Sequence, residues 1–161
     1  MKIYLIGFMG CGKTTIGKRL AARYGFSFVD MDDLFSVAHG CSVKDYFELY
    51  SEKKFRIEEQ KILYQTQQMD NVVVAVGGGT PCYQDNMQWI KSNGTAVYIK
   101  MPAKALFHRL KNSKSKRPLL PPDNLLETIQ NLLSQRENIY NMAHITVSGV
   151  DFDVENLMKK L

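Results

Sequence analysis

Residues 7–15, GFMGCGKTT, carry the densest chemical signal in the chain. Gly7, Gly12, Lys13 and Thr14 satisfy the spacing GxxxxGK[ST], directly after an apolar run and directly before a helical pattern. That context is what a phosphate cradle requires. Glycines let successive backbone N–H groups face inward, and the helix that follows adds its positive end. Lys13 suits the β- and γ-phosphates of a nucleotide, and the Thr14 hydroxyl suits Mg2+. The loop therefore predicts a nucleoside triphosphate as phosphoryl donor. A glycine turn that only caps an ordinary helix is the plain alternative. Cys11 sits inside the loop, where a small residue fits. With Cys41 and Cys82 it makes three cysteines without CxxC or Cys/His metal spacing, which read as free thiols.

Three further constellations could serve an acceptor. Asp30, Asp32 and Asp33 cluster after the run FSFV. If the backbone is still extended there, its period of two puts Asp30 and Asp32 on one side. One acid would then join the Mg2+ shell while the other accepts hydrogen bonds from a hydroxyl substrate. Capping of the next helix is the alternative for Asp32 and Asp33. Next, Glu59 falls on the apolar stripe of Phe55, Ile62 and Leu63 in a helix over 51–69, with Arg56 three residues before it. On the surface such a pair contributes only ~0.2–0.5 kcal/mol. A carboxylate turned to the core needs the partner more, because burying it alone is costly. Last, Arg136 shares the face of Leu125, Ile129, Leu132, Leu133 and Tyr140 in a helix over 124–142. It either snorkels outward or lines a pocket and grips an anion with its planar fork. Together with the bare backbone of Gly77, Gly78 and Gly79, these features sketch a site for a small, negatively charged polyol.

The elements that must position these residues follow from the apolar pattern. KIYLIG, FSFVD, NVVVAVG, TAVYIKM and HITVS predict five short strands, nearly unbroken in their apolar character. Such runs suit a parallel sheet covered on both faces. Helical patterns over 13–23, 31–39, 43–69 with a break, 82–92, 103–111, 124–142 and 153–160 alternate with them. The fold class is α/β: a doubly wound five-stranded parallel sheet flanked by helices. Sites in such folds lie at the carboxyl ends of strands. Residues 111–124, KNSKSKRPLLPPDN, lack periodicity and read as a mobile surface loop.

The 161 residues suit a single domain, 1–161. No apolar run nears the ~20 residues that cross a bilayer. The apolar start runs straight into the glycine loop, so it reads as a buried strand rather than a leader. A cytoplasmic monomer without a membrane partner is expected. The formal charge of +5 is local: residues 86–122 contain no Asp or Glu. The basic loop, KNSKSKR at 111–117, has no interleaved aromatics, which argues against nucleic acid. A GTPase switch would carry an NKxD-type element, and a motor an acid after the mid-sheet strand. Here VVVAV ends in three glycines instead, which leaves a small-molecule kinase.

In order, GFMGCGKTTIGKRLA, FVDMD, FRIEE, GGG, RPLL and a late helix with QRENIY resemble shikimate kinase along essentially the whole chain. The resemblance implies a P-loop kinase fold of the nucleoside monophosphate kinase type. It implies transfer of the γ-phosphoryl group of ATP to the 3-hydroxyl of shikimate, on the route to chorismate and the aromatic amino acids. By position, Lys13 would contact the phosphates, with Gly10, Cys11, Gly12, Thr14 and Thr15 along the nucleotide. Thr14 and Asp30 would serve Mg2+. Asp32 resembles the acid that binds the ring hydroxyls and acts as base. Arg56 and Arg136 look like the pair that grips the shikimate carboxylate, with Glu59 supporting Arg56. Gly78 and Gly79 look like the backbone that approaches the substrate. Arg117, in RPLL, resembles the lid arginine that closes on the transferring phosphate. Arg109 stands where related enzymes place an arginine against adenine, although residues 147–153 lack the proline that often faces it. Kinases of gluconate or a nucleotide share loop and fold without obviously needing Arg56, Arg136 and Asp32 together. A nucleotide-dependent binding protein is the non-enzymatic alternative.

Overall fold

The computed structural model describes residues 1–113, 120 and 123–161. Five strands, β1 (Lys2–Ile6), β2 (Ser27–Asp30), β3 (Val72–Ala75), β4 (Thr95–Lys100) and β5 (Ile145–Ser148), form one sheet. Their order is β2, β3, β1, β4, β5, and every neighbouring pair is parallel. Among the described residues the helices are α1 (Lys13–Tyr24), α2 (Met31–His39), α3 (Val43–Leu49), α4 (Glu52–Gln65), α5 (Asn86–Asn93), α6 (Ala103–Lys111), α7 (Leu125–Tyr140) and α8 (Val154–Met158).

Strand position explains strand composition. Central β1, β3 and β4 are buried nearly end to end, and their runs are apolar apart from Lys2, Thr95 and Lys100 at strand ends. Edge strand β5 alternates half-buried Ile145 and Val147 with exposed Thr146 and Ser148. Parallel neighbours need crossovers, which the helices supply. After β1 the chain passes over to β2, beyond β3; after β3 it passes the other way to β4, beyond β1. Neighbours β1 and β3 thus send the chain in opposite directions. The crevice at their carboxyl ends is where such sheets bind ligands. Gly7–Gly12 follow β1 there and Gly77–Gly79 follow β3.

Three expected helices differ in detail. The break expected within 43–69 separates α3 from α4, with Ser42 and Ser51 each capping a helix of its own, and α4 ends at Gln65 rather than 69. Their hydroxyls accept from the backbone N–H of Asp45 (3.0 Å) and Lys54 (3.2 Å). A short 3-10 turn, Thr66–Gln68, follows α4. The helix expected over 82–92 starts later, at Asn86, after a 3-10 turn at Thr80–Cys82. The buried Asn86 amide donates to the Thr80 carbonyl at 2.8 Å and fixes that turn beneath the glycines. The last helix is confined to Val154–Met158.

Of the expected loop at 111–124, residues 114–119, 121 and 122 lie outside the described residues, and Arg117 lies among them. Lys111 ends α6, and Leu120 joins the core. Among the described residues no helix is long and apolar enough to cross a membrane.

Candidate active site

The glycine loop takes its shape from residues between β1 and α1. Gly12 caps α1 in the left-handed region, at φ 100°, a conformation that a Cβ would strain. This turns the chain from loop into helix. Lys13 folds back over the loop and donates to the carbonyls of Gly7 (2.8 Å) and Phe8 (3.0 Å). Cys11 is buried, with Sγ 3.9 Å from the Lys13 ammonium. Gly10, Gly12, Lys13 and Thr14 line a polar pocket with Asp30, Asp32 and Asp33 opposite. Cys11 and Thr15 are not part of that lining, and Thr15 is exposed on α1.

The acidic cluster is arranged differently from the expectation of a continuing strand. Asp30 ends β2 with extended backbone, but Asp32 already lies in the first turn of α2. The period of two therefore does not relate them. The helix cap is Asp30, not Asp32 or Asp33: its Oδ1 accepts the Asp32 N–H at 3.1 Å. Its Oδ2 accepts the Thr14 hydroxyl at 2.8 Å. One carboxylate thus joins the start of α2 to the phosphate loop. An adjoining hydroxyl and carboxylate are hard oxygen donors that fit Mg2+, which usually takes one or two carboxylates plus substrate phosphates and water. Among the described residues no group of three or more His, Cys, Asp or Glu is placed to hold a metal by itself.

A second pocket adjoins the first. It is lined by all of the expected acceptor residues: Asp32, Arg56, Glu59, Gly78, Gly79 and Arg136. Arg56 and Glu59 turn inward from α4 and are only 9% and 4% exposed. Arg56 Nη1 donates to Glu59 Oε1 at 2.8 Å, and exposed Glu52 lies 3.6 Å from Nη2. Burial pushes the Glu59 carboxyl above the usual range, while Arg56 and the neighbouring Thr80 hydroxyl pull it back. The pair is therefore no surface bridge. It is held against bare backbone: a Cβ on Gly79 would collide with the Arg56 guanidinium, and one on Gly77 would stand 2.7 Å from Glu59 Oε2. None of Gly77, Gly78 and Gly79 has positive φ, so space rather than backbone conformation demands glycine.

Arg136 does not snorkel. It is 6% exposed, and its guanidinium carbon lies 5.8 Å from the centre of the Phe8 ring. Nη1 is buried and meets no acceptor among the described residues. An orphaned buried donor is costly, more so when charged. It lines a pocket that also holds Arg56, and two guanidiniums on one pocket have the chemistry to bind an anion. The two pockets share Met9, Asp32, Gly77 and Gly78. An acceptor hydroxyl on Asp32 would therefore meet the end of a phosphate chain.

Sequence reasoning missed several contributors. Val43, Phe47 and Phe55 form an apolar wall of the second pocket, with Met9 at the boundary. Tyr140 is no mere core residue: its hydroxyl donates to the Gly78 carbonyl. The available signal was its place on α7, four residues after Arg136 on the same face. Arg109 lies outside both linings, with Nη1 3.5 Å from the Gly10 carbonyl. The turn after β5 also reaches the loop, where a Cβ on Gly149 would stand 3.2 Å from the Cys11 carbonyl.

Residues 9–161 match the family model described as shikimate kinase. A curated shikimate kinase from Azobacteroides pseudotrichonymphae genomovar. CFP2 is 40% identical over 99% of this chain and 99% of its own. The crystal structure of shikimate kinase from Bacteroides thetaiotaomicron is similar at TM-score 0.93 and 30% identity, over 99% of this chain and 97% of that one. The enzyme from Acinetobacter baumannii, solved in complex with shikimate, is similar at TM-score 0.90 and 32% identity, over 99% of this chain and 89% of that one.

Proposed function

The chain belongs to the shikimate kinase family and carries out ATP-dependent phosphorylation of shikimate, and from this premise we propose how its own residues divide that work. The phosphates of ATP occupy the pocket of the glycine loop, against the backbone of Gly10 to Thr15 and the Lys13 ammonium. Thr14 and Asp30 would hold Mg2+, which would supply positive charge against the nucleotide's phosphates. Arg109, on the flank of the loop, faces the nucleoside end. Shikimate enters the second pocket with its carboxylate between Arg56 and Arg136, and its ring lies against the apolar wall. Glu59 holds Arg56 in place, while Gly78 and Gly79 let the ring approach the backbone.

Asp32 then accepts the hydrogen bond of the attacking hydroxyl and receives its proton as that oxygen bonds to the γ-phosphorus and the bond from phosphorus to the β–γ bridging oxygen breaks, releasing ADP. Phosphoryl transfer depends mainly on positioning and charge stabilisation, so the residues that fix the two substrates supply most of the effect. Arg117, by the resemblance, is assigned to the charge of the transferring phosphate. The single observation that carries this reading is the shared boundary: Asp32 and Gly78 line both pockets. The shikimate-bound relative supports it. We further propose that it acts as a monomer in the cytoplasm.

The test is ATP consumption by the purified protein with shikimate, gluconate and nucleoside monophosphates in parallel. Consumption with shikimate and very little with the others is expected. Equal turnover on gluconate would overturn the assignment of the second pocket.

A further inference from the structure

The peptide between Gly78 and Gly79 has no Cβ on either side, so sterics alone do not choose its orientation. Something outside it must. Tyr140, fully buried at the end of α7, donates its hydroxyl to the Gly78 carbonyl. The Tyr140 ring packs on the Tyr98 ring of β4, centroids 5.1 Å apart, which anchors the hydroxyl to the sheet. Burial pushes its pKa well above the ordinary tyrosine value, so it remains a donor across the working range. No cis peptide is present, and in a trans peptide the C=O and the following N–H point opposite ways. Fixing the Gly78 carbonyl therefore fixes the Gly79 N–H. Among the described residues no backbone carbonyl accepts that N–H, and Gly79 lines the acceptor pocket.

We infer that Tyr140 is a positioning residue for the acceptor: its hydroxyl locks the Gly78–Gly79 peptide so that the Gly79 N–H is presented to a shikimate hydroxyl. The same strip also abuts the phosphate loop, since a Cβ on Gly78 would stand 3.2 Å from the Met9 nitrogen. Tyr140 thereby sets the spacing of acceptor and donor from behind, without touching either. The inference rests on the pocket assignment above.

The experiment is steady-state kinetics of Tyr140→Phe, with Arg136→Ala and the parent alongside, and a thermal melt of each. Tyr140→Phe removes the hydrogen bond to Gly78 and the hydroxyl that neighbours the Arg136 guanidinium, with little change in volume, so shikimate KM should rise about 3- to 10-fold. ATP KM should stay within about twofold, and the melt should move little. An unchanged shikimate KM would overturn the inference. So would a parallel rise in both KM values with a large fall in Tm, which would make Tyr140 merely structural. If Arg136→Ala leaves shikimate KM unchanged, the pocket itself is misassigned, which is a separate failure. Should Tyr140→Phe not fold, glycine-selective 15N NMR of the parent decides. A single sharp Gly79 amide that shifts with shikimate is expected, and an exchange-broadened one would contradict the lock.

Discussion

Arg56 and Arg136 are both buried guanidiniums, yet their surroundings differ in a way that assigns their roles. Arg56 is charge-paired by Glu59 at 2.8 Å, whereas Arg136 Nη1 has no acceptor among the described residues. The unpartnered one should gain most when an anion arrives. Truncating one side of a buried charged pair typically costs about 2–5 kcal/mol. Arg136→Ala is therefore expected to raise the dissociation constant for shikimate by about 30-fold or more. Affinity for ATP should stay nearly intact, because Arg136 does not line the phosphate pocket. Titration calorimetry with each substrate checks this, and an equal loss of both would make Arg136 structural. At this scale the sequence was legible in part: the apolar stripes marked Glu59 and Arg136 as residues that could turn inward, left a surface bridge and an outward arginine open, and burial decides for inward. It was not legible where the local backbone changed state. The extended chain ends at Asp30, so only tertiary structure reveals that this acid both caps α2 and bonds Thr14.

Between elements, α4 meets the glycine strip after β3 at a spacing set by the absence of one side chain. Gly79→Ala would drive a Cβ into the Arg56 guanidinium. Overpacking of this kind costs about 1–3 kcal/mol, so Tm should fall by roughly 3–10 °C for a chain this size. Shikimate affinity should fall with it. A differential scanning measurement with unchanged Tm would show that α4 gives way freely. Further along, His39 at the end of α2 lies between the Phe35 carbonyl (3.1 Å) and Glu58 of α4 (3.4 Å). The Lys61 ammonium, 2.7 Å from Glu58, holds that carboxyl below the usual range, with His39 adding to it against partial burial. A lowered folded pKa contributes stability above the ordinary carboxylate range, and this is lost as pH falls through the folded value. The parent should thus lose Tm steadily as the medium is acidified below about pH 4.3, and Glu58→Gln should show a shallower acid limb. Identical limbs would remove Glu58 from the account. No run of apolar residues announces this tie, because its partners come from two helices whose packing is decided elsewhere.

For the whole molecule, five strand signals and the helices between them sufficed to anticipate the sheet, since β1, β3 and β4 are buried on both faces and their composition says so. Strand order was less accessible, and it is the order that opens the crevice between β1 and β3. The glycine loop and the glycine strip lie side by side only because these strands are neighbours. Tyr140 and Gly78 illustrate the same limit: one reads as a core aromatic and the other as a turn until α7 and the strip are seen together. Arg117 remains assigned by resemblance alone. The central claim concerns how two pockets that meet at Asp32 divide two substrates, and its most direct measurement is a crystal structure of this protein with shikimate and a slowly hydrolysed ATP analogue. The account predicts the shikimate carboxylate within hydrogen-bond distance of both Arg56 and Arg136, a ring hydroxyl on Asp32, and the terminal phosphate beside Lys13. A carboxylate turned towards Lys13, with both arginines clear of the ligand, would contradict it.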